Sequence, residues 1–373
     1  MTPQRQRTNR PSETKGRNEM SYKIDRRTLL RTAAMSSAAL ALAGRGAVAQ
    51  TSDAALVEAA EKEGQLVIYG DLFTVQIMVK SFNAAYPKIK VTTATGDAWQ
   101  ILNRFISENR AERPVMDVFW QAEDTIITAD GAGMLGPINF GDKASLLSSA
   151  IPATGNYFRG NGQLCLFAWH KDQIGKNPTP GDWTDYIEPP AAWDGLVATT
   201  NPASSSATFA VIAALYQHYG QDKGGAILKG LRKINTELVA SMGVLTTKLQ
   251  TGERPIDFFT NSNATAGLLG QGVPIAVKIP ESGAVAQFNA VAVSKMAPHP
   301  NAAKLFVEHA LGKQAQTDLL QAKAYSVRKD LASPDGLPSL EEAKQLKLDL
   351  VQALKDRDAI LKWWSASTGF NIR

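Results

Sequence analysis

Cysteine is almost absent from this chain of 373 residues, and the single residue present, Cys165, limits the chemistry that is possible. One thiol cannot form a disulfide within the chain, and it cannot supply the several cysteines that a zinc or iron–sulfur site requires. Cys165 lies in the apolar segment 164–168, which predicts a buried and unreactive thiol. The sequence indicates no cofactor of any other kind, so we expect none.

Histidine is scarce as well, with four residues scattered singly and no H-E-x-x-H motif. A Ser–His hydrolase would need His218 beside Ser206, but the helix predicted between them separates the two by roughly 18 Å, which is beyond hydrogen-bonding reach. The match to G-x-G-x-x-G at residues 131–136 is followed by Pro137 and turn residues, which predicts a helix end and a loop instead of a dinucleotide site. We therefore expect a binding protein, with an exported enzyme as the alternative.

The body of the chain lacks an excess of positive charge. The formal net charge is +5, and the basic residues among the first 45 account for this excess. A basic tail without a basic stripe on a folded face argues against nucleic acid as a partner.

Residues 1–49 predict an N-terminal extension followed by an export signal. From the candidate start Met20, a basic segment, a short run of small apolar residues and an A-x-A site follow one another, and the apolar run is too short to span a bilayer. The adjacent Arg26 and Arg27 favour the twin-arginine route, with the Sec route as the alternative. We expect cleavage near Ala49 and a mature protein in the periplasm.

Strands alternate with helices along the rest of the chain. The expected strands are 66–69, 89–93, 115–120, 164–170, 195–200, 256–260, 273–279 and 288–293, and the first expected helices are 54–63, 75–86 and 99–109. This alternation predicts an α/β fold with a parallel, doubly wound sheet. Because ligands bind beyond the carboxyl ends of such strands, the strand exits at 70–74, 96–97 and 120–123 are of interest.

The stretch 193–220 carries the clearest candidate site. A short strand ends at Asn201-Pro202, and apolar residues three and four apart then predict a helix that ends at Gly220. A helix start offers unpaired N–H groups and the positive end of a dipole, which bind anions. The alternative is that one serine is only the N-cap. The candidate residues are Ser204, Ser205, Ser206 and Thr208.

Further candidates lie in other loops, each with a purely structural alternative. Asn261 and Asn263 follow an expected strand and would add amide donors. An amine could pair with Asp71, although Gly-Asp is also turn or N-cap chemistry. The remaining candidates are Thr74, Glu281 in a possible turn, and two tryptophans that could pack on the ligand or in the core, Trp120 and Trp169.

The order of these segments resembles the periplasmic solute-binding proteins of ABC importers, in the branch of ferric-iron, 2-aminoethylphosphonate, thiamine and polyamine binders. The matching pieces include LVIYG and FNAAYPKI in residues 66–89, TGERPI at 251–256, APHPNAAKLF at 297–306 and YSVRKD at 325–330. The resemblance implies the two-lobe fold of a type II periplasmic binding protein, each lobe a doubly wound sheet, with ligand in the cleft between the lobes.

The resemblance also implies how the chain is divided into lobes and which partner it binds. Lobe one would be 50–163 plus 282–373, and lobe two would be 164–281. A hinge would close the lobes on the ligand, and the closed form would dock on an ABC permease in the inner membrane. We expect the protein to act as a monomer.

The family's ligands differ, and tyrosine distinguishes the iron binders. Ferric members hold iron with an adjacent tyrosine pair on the loop that here reads NSNAT at 261–265, which contains no tyrosine. Tyr69 and Tyr157 are present elsewhere. We therefore expect a small anion or zwitterion, that is a phosphonate, phosphate ester or carboxylate, and we assign no residue as a metal ligand. Ferric iron is the alternative.

Overall fold

The computed structural model describes residues 53–334 and 337–371. The expected export signal, with Arg26, Arg27 and the cleavage site at Ala49, lies outside the described residues. In the described part, no helix has the length and apolar character needed to cross a membrane.

Ten strands in the described residues form one mixed sheet. They are β1 (Gln65–Gly70), β2 (Lys90–Thr95), β3 (Val118–Ala122), β4 (Leu135–Gly136), β5 (Tyr157–His170), β6 (Val197–Thr200), β7 (Glu237–Val239), β8 (Ile256–Asn261), β9 (Ile275–Lys278) and β10 (Val285–Ser294). Their order is β2-β1-β3-β10-β5-β8-β6-β7, with β4 beside β10 and β9 beside β5.

Helices follow most strands. The α-helices of the described residues are α1 (Ala54–Glu63), α2 (Leu72–Ala85), α3 (Ala98–Arg110), α4 (Glu123–Gly131), α5 (Lys171–Ile174), α6 (Ser206–Lys233), α7 (Met242–Thr251), α8 (Ser262–Gly270), α9 (Pro300–Ala310), α10 (Lys313–Gln321), α11 (Leu350–Lys355) and α12 (Arg357–Thr368). The helix predicted to end at Gly220 is interrupted there, so α6 consists of two helical segments joined at a kink. Gly220 adopts φ 74° and ψ 175°, a break that an L residue rarely allows, and the chain resumes its helix to Lys233.

The sheet is parallel at its two ends and antiparallel in the middle. Strands β2, β1 and β3 are parallel and belong to what we term the first lobe. Strands β7, β6 and β8 are parallel and belong to the second lobe. Between them, β5 and β10 run antiparallel to each other and to their neighbours. The parallel pairing predicted from the alternation is therefore present within each lobe, and β5 and β10 are antiparallel because they carry the chain out of the first lobe and back.

Each lobe has its own hydrophobic core, and the C-terminal helices belong to the second. Ile360 and Trp364 of α12 are buried in the cluster that contains Phe209 of α6 and Phe258 of β8. Trp364 is only 1% exposed, which places the C-terminal helix firmly on this core. Its neighbour Trp363 is half-buried, and its ring packs edge-on against Tyr216. The lobe boundaries in sequence stay a prediction, but α12 packs on the lobe opposite to the one predicted for residues 282–373.

Candidate functional site

A cleft of about 490 Å³ lies between the lobes and draws its walls from both. The first lobe contributes Asp71, Leu72, Gly96, Asp97, Ala98, Gln121 and Ala122. The second contributes Ser204, Ser205, Ser206, Ala207, Ala240, Ser241, Met242, Gly243, Asn261 and Asn263. The crossing strands contribute Gln163, Gln287 and Asn289.

Six helices of the described residues begin at this cleft. In the first lobe they are α2, α3 and α4, which directly follow β1, β2 and β3. In the second lobe they are α6, α7 and α8, which follow β6, β7 and β8. Because the first N–H groups of a helix have no partner within it and lie at the positive end of its dipole, this arrangement favours a negatively charged ligand.

No cationic side chain of the described residues lines this cleft, and Asp71 and Asp97 are its two ionisable wall residues among them. Arg159 lines the adjoining pocket, which shares Ser206 and Gln287 with the cleft, and its Nε pairs with Glu123 at 2.7 Å. Asp97 precedes α3, and its side chain makes no capping hydrogen bond. Backbone N–H groups, hydroxyls and amides would therefore carry the binding of an anion in this cleft.

The serine turn before α6 lies on the wall as predicted, and it also contains a cap. Ser205 is the N-cap of α6, and its Oγ accepts a hydrogen bond of 3.3 Å from the Thr208 N–H. Ser204 Oγ donates to the Asn201 carbonyl at 3.4 Å. Ser206 is buried, and its hydroxyl lies close enough to the Asp124 carboxyl to oppose the rise in pKa that burial causes there. Ser205 thus has the structural role that we kept as an alternative, while still facing the cleft.

Thr208 does not line the cleft. It is fully buried one turn into α6, where its hydroxyl bonds to that of Thr200 on β6. That contact holds the helix against the end of its preceding strand, so Thr208 supports the serine turn from behind.

Asn261 and Asn263 both line the cleft, but the expected loop is a helix start. Asn261 ends β8 and is the N-cap of α8, which begins at Ser262. Cys165 Sγ lies 3.7 Å from Asn261 Oδ1. Burial raises the pKa of the Cys165 thiol to about 12, in keeping with the unreactive thiol predicted. Asn263 Oδ1 accepts from the Ala264 N–H at 2.8 Å.

Asp71 is the N-cap of α2 as well as a wall residue. Its Oδ1 accepts from the Thr74 N–H at 2.9 Å, and its Oδ2 accepts from Asn289 Nδ2 at 3.0 Å. Burial raises the pKa of Asp71 to about 6, and the hydrogen bonds from Thr74 oppose this shift. Thr74 itself is fully buried behind the wall, within 3.5 Å of Asn161 Oδ1.

Three other candidates lie away from the cleft. Trp120 is 0% exposed, with its ring packed edge-on against Phe306 and its Nε1 donating to Asn161 Oδ1 at 3.0 Å. Trp169 pairs with Ile256 at the end of β8 opposite to Asn261, so it is remote from the helix starts. Glu281 is exposed and forms an ion pair of 2.8 Å with Lys278.

Several wall residues were not selected from the sequence. Gln163 and Gln287 lie opposite each other on β5 and β10, and Gln163 Nε2 donates to Gln287 Oε1 at 2.5 Å. Each lies one residue before a strand predicted from the sequence, 164–170 or 288–293, and no sequence pattern marked either as a wall residue. Asp97 and Gln121 lie at the strand exits 96–97 and 120–123, so their position in the sequence could have identified them as wall residues.

Iron-type ligands are not gathered at the cleft. Tyr69 is buried with its hydroxyl donating to Glu108 at 2.7 Å, and the Tyr157 hydroxyl lies 3.5 Å from Glu123. Within residues 53–334 and 337–371, no group of three or more His, Cys, Asp or Glu side chains is placed to hold a metal ion.

The sequence profile of a family described as bacterial extracellular solute-binding protein matches residues 77–345, which is more than half of the chain. The chain belongs to this family. Among curated proteins, none matches the sequence.

Solved structures of similar fold agree with this family. AfuA from Actinobacillus pleuropneumoniae, a periplasmic binding protein with fructose-6-phosphate bound, superposes with a TM-score of 0.73 at 19% identity, covering 83% of this chain and 99% of its own. Iron-bound HitA from Pseudomonas aeruginosa has a TM-score of 0.70 at 19% identity, covering 81% and 99%. Ferric ion-binding protein A from Pasteurella haemolytica, in its apo form, has a TM-score of 0.67 at 19% identity, covering 82% and 98%. The two-lobe binding-protein fold predicted from the sequence is confirmed.

Proposed function

We propose that this solute-binding protein works in the periplasm as the substrate-binding component of an ABC importer and captures a small anionic or zwitterionic solute. The observation that carries the proposal is the convergence of six helix N-termini on a cleft that no cationic side chain in residues 53–334 or 337–371 lines. Such a cleft attracts an anion through fixed backbone dipoles. It also leaves the ligand free of strong ion pairs, so that release to a permease is easier.

The two lobes would bind different parts of the ligand. The starts of α6, α7 and α8 lie among Ser205, Ser241 and Asn261, and no carboxylate from the described part of the second lobe lines the cleft. We place the phosphoryl or carboxylate group there. On the first lobe, Asp71 and Asp97 would accept hydrogen bonds from an ammonium or hydroxyl group.

The crossing strands suit the rest of the ligand. Gln163, Gln287 and Asn289 offer amide groups, which both donate and accept hydrogen bonds and so match hydroxyls. A phosphate ester of a polyol or a 2-aminoalkylphosphonate fits this distribution. AfuA, a structure of the same fold, contains fructose-6-phosphate, which supports the phosphate ester.

Ferric iron is the alternative, because HitA of the same fold is iron-bound. In the described residues, however, the cleft offers Fe(III) only the carboxylates of Asp71 and Asp97 as anionic donors. Hard Fe(III) favours several anionic oxygens. An iron-loaded form of this protein would need a co-bound chelating anion such as citrate.

An exported enzyme is the second alternative. The pair considered for a hydrolase is not formed, because His218 Nδ1 accepts from the Lys347 N–H at 3.2 Å instead of approaching Ser206. Residues 1–49 would deliver either kind of protein to the periplasm, so export by the twin-arginine or Sec route belongs to the proposal in both cases.

A thermal-shift screen tests the proposal. The panel holds 2-aminoethylphosphonate, fructose 6-phosphate, glycerol 3-phosphate, citrate, spermidine, thiamine and ferric citrate. We expect a phosphonate or phosphate ester to raise the melting temperature, since a ligand that binds only the folded state stabilises it by mass action.

Two variants locate the binding. Asn263→Ala removes a wall amide and should reduce the shift, whereas Lys278→Ala, on an exposed ion pair outside the cleft, should preserve it. A shift with ferric citrate alone and with visible charge-transfer absorbance would overturn the proposal in favour of iron. Turnover of any panel member would favour the enzyme.

A further inference from the structure

Arg357, the first residue of α12, contacts both lobes at once. Its guanidinium lies 4.2 Å from the ring centre of Trp99 on α3 and 4.5 Å from that of Phe209 on α6. Trp99 belongs to the first lobe and Phe209 to the core of the second. The guanidinium is thus stacked between aromatic rings that a hinge motion would separate.

The same side chain also supports the serine turn. Arg357 Nη2 donates to the Ala203 carbonyl at 3.0 Å. Ala203 directly precedes Ser204, Ser205 and Ser206, which line the cleft. Arg357 therefore connects the C-terminal helix to the turn that presents the start of α6 to the ligand.

Three buried polar atoms at this guanidinium have no partner, namely Arg357 Nη1, Trp99 Nε1 and Asp124 Oδ2. Asp124 lies in the first turn of α4 and is 3% exposed. Burial raises the pKa of Asp124, and the nearby Ser206 hydroxyl and Arg357 guanidinium both oppose this shift. Buried donors and acceptors left unpaired are unfavourable, so a small movement that joined Asp124 to Arg357 would be favoured.

The two halves of this pair are anchored in different lobes. Ile360 and Trp364 fix α12 in the core of the second lobe. Asp124 follows β3, and the helix α4 buries Ile126 in a first-lobe core with Phe119. Relative motion of the lobes therefore changes the separation of Asp124 and Arg357 directly.

We propose that Arg357 is a positioning residue that holds the lobes together: closure pairs its guanidinium with Asp124, keeps it stacked between Trp99 and Phe209, and fixes the serine turn for the ligand. Arg357 does not contact the ligand in this arrangement. The inference rests on the proposed function only in assuming that the lobes close around a solute.

The separation of the lobes in the ligand-free protein tests this inference. Spin labels on Lys80→Cys of α2 and Lys229→Cys of α6, both exposed positions, report the interlobe distance by pulsed electron spin resonance. Cys165 is buried and stays unlabelled. We expect Arg357→Ala and Asp124→Asn each to shift the distribution to longer distances, and the double variant to add little to the larger single effect.

Controls separate this role from a general loss of stability. Lys362→Ala, an exposed position on the same helix, should leave the distances unchanged. Arg357→Lys keeps the charge but loses the planar stacking, so its interlobe distances should lie between those of the wild type and Arg357→Ala. It replaces Arg357→Ala in the test if that variant fails to fold. Wild-type distances in a folded Arg357→Ala or Arg357→Lys variant, with only the melting temperature lowered, would overturn the inference. Because the measurement needs no ligand, a failed ligand screen would leave this result standing.

Discussion

At the scale of single residues, Asp257 is the least expected feature of the second lobe. It is the second residue of β8 and is 0% exposed, and among the described residues the hydroxyl of Thr260 is the one group close enough to oppose the effect of burial on its carboxyl. Burial raises the pKa of Asp257 well above its usual value, although Thr260 opposes the shift. A carboxylate in a core without a nearby cation is held as the neutral acid.

Asp257→Asn should therefore make the protein more stable at neutral and alkaline pH. Because the pKa of Asp257 is higher in the folded than in the unfolded state, its protonated carboxyl contributes fully to the stability of the wild type below the unfolded pKa of about 4. That contribution is lost as the pH rises through the folded pKa. In that window the free energy of unfolding of the wild type should fall by about 1.4 kcal/mol per pH unit relative to the variant. Urea unfolding between pH 4 and pH 8 measures this difference.

The matched control is Asp222→Asn, an exposed carboxylate on α6. Its stability should follow the wild type at every pH. If the Asp257→Asn curve also ran parallel to that of the wild type, Asp257 would be ionised in the folded protein, and the assignment of a neutral acid would have to be abandoned.

At the scale of elements, the starts of the helices carry the proposed anion site. Met242→Pro tests this directly, because proline at the first position of a helix is tolerated and removes one N–H. The preceding Ser241 has φ −154° and ψ 164°, an extended conformation that fits a residue before proline. A hydrogen bond to a charged group contributes about 1.5–3 kcal/mol, so affinity for the best anion of the screen should fall about tenfold or more.

Met242→Ala provides the comparison for this variant, since it removes the side chain and keeps the N–H. Titration calorimetry should show a much smaller loss of affinity for the alanine variant, with unchanged helical circular dichroism for both. Equal losses would mean that the side chain of Met242, and not the backbone of α7, contacts the ligand.

The C-terminal helix is the second element whose position can be tested. Trp364→Ala removes a buried indole from the second-lobe core and should cost about 3–5 kcal/mol of unfolding free energy. Hydrogen exchange should accelerate in α6 and β6 before it does in β1 and β3. Trp363→Ala, at the half-buried neighbour, should cost less. Faster exchange confined to the first lobe would contradict the packing of α12 described above.

At the scale of the whole molecule, β5 and β10 join the lobes and would act as the hinge. Binding in the cleft should bring the lobes together, since walls from both must contact one small solute. We expect the radius of gyration from solution X-ray scattering to decrease on addition of the best ligand of the screen. Stability should rise by about 2.7 kcal/mol when the free ligand is 100 times Kd. Stabilisation without a change in scattering would show that the ligand binds to lobes already closed.

Much of the local structure follows from the sequence alone. The helix predicted over 54–63 is confirmed at the same bounds, and Asp71 and Ser205 act as N-caps because their side chains reach the N–H groups of the following turn. The Asp, Ser and Asn residues that follow strands lie at the edge of the cleft. A turn or a helix start can be predicted from the sequence because it depends on neighbours within four residues. The family, and with it the two-lobe fold, was predicted from the order of such segments.

Tertiary structure decided the features that depend on distant partners. The amides of Gln163 and Gln287 meet only because β5 pairs with β10, 124 positions apart in the chain. The sequence pattern of β3 does not decide whether Trp120 faces the ligand or the core. Its packing against Phe306 of α9 places it in the core. The contact of Arg357 with both lobes has the same origin. Caps and turns are fixed by short-range hydrogen bonds, whereas the face that a strand buries and the lobe that a terminal helix covers are set by contacts between segments far apart in sequence.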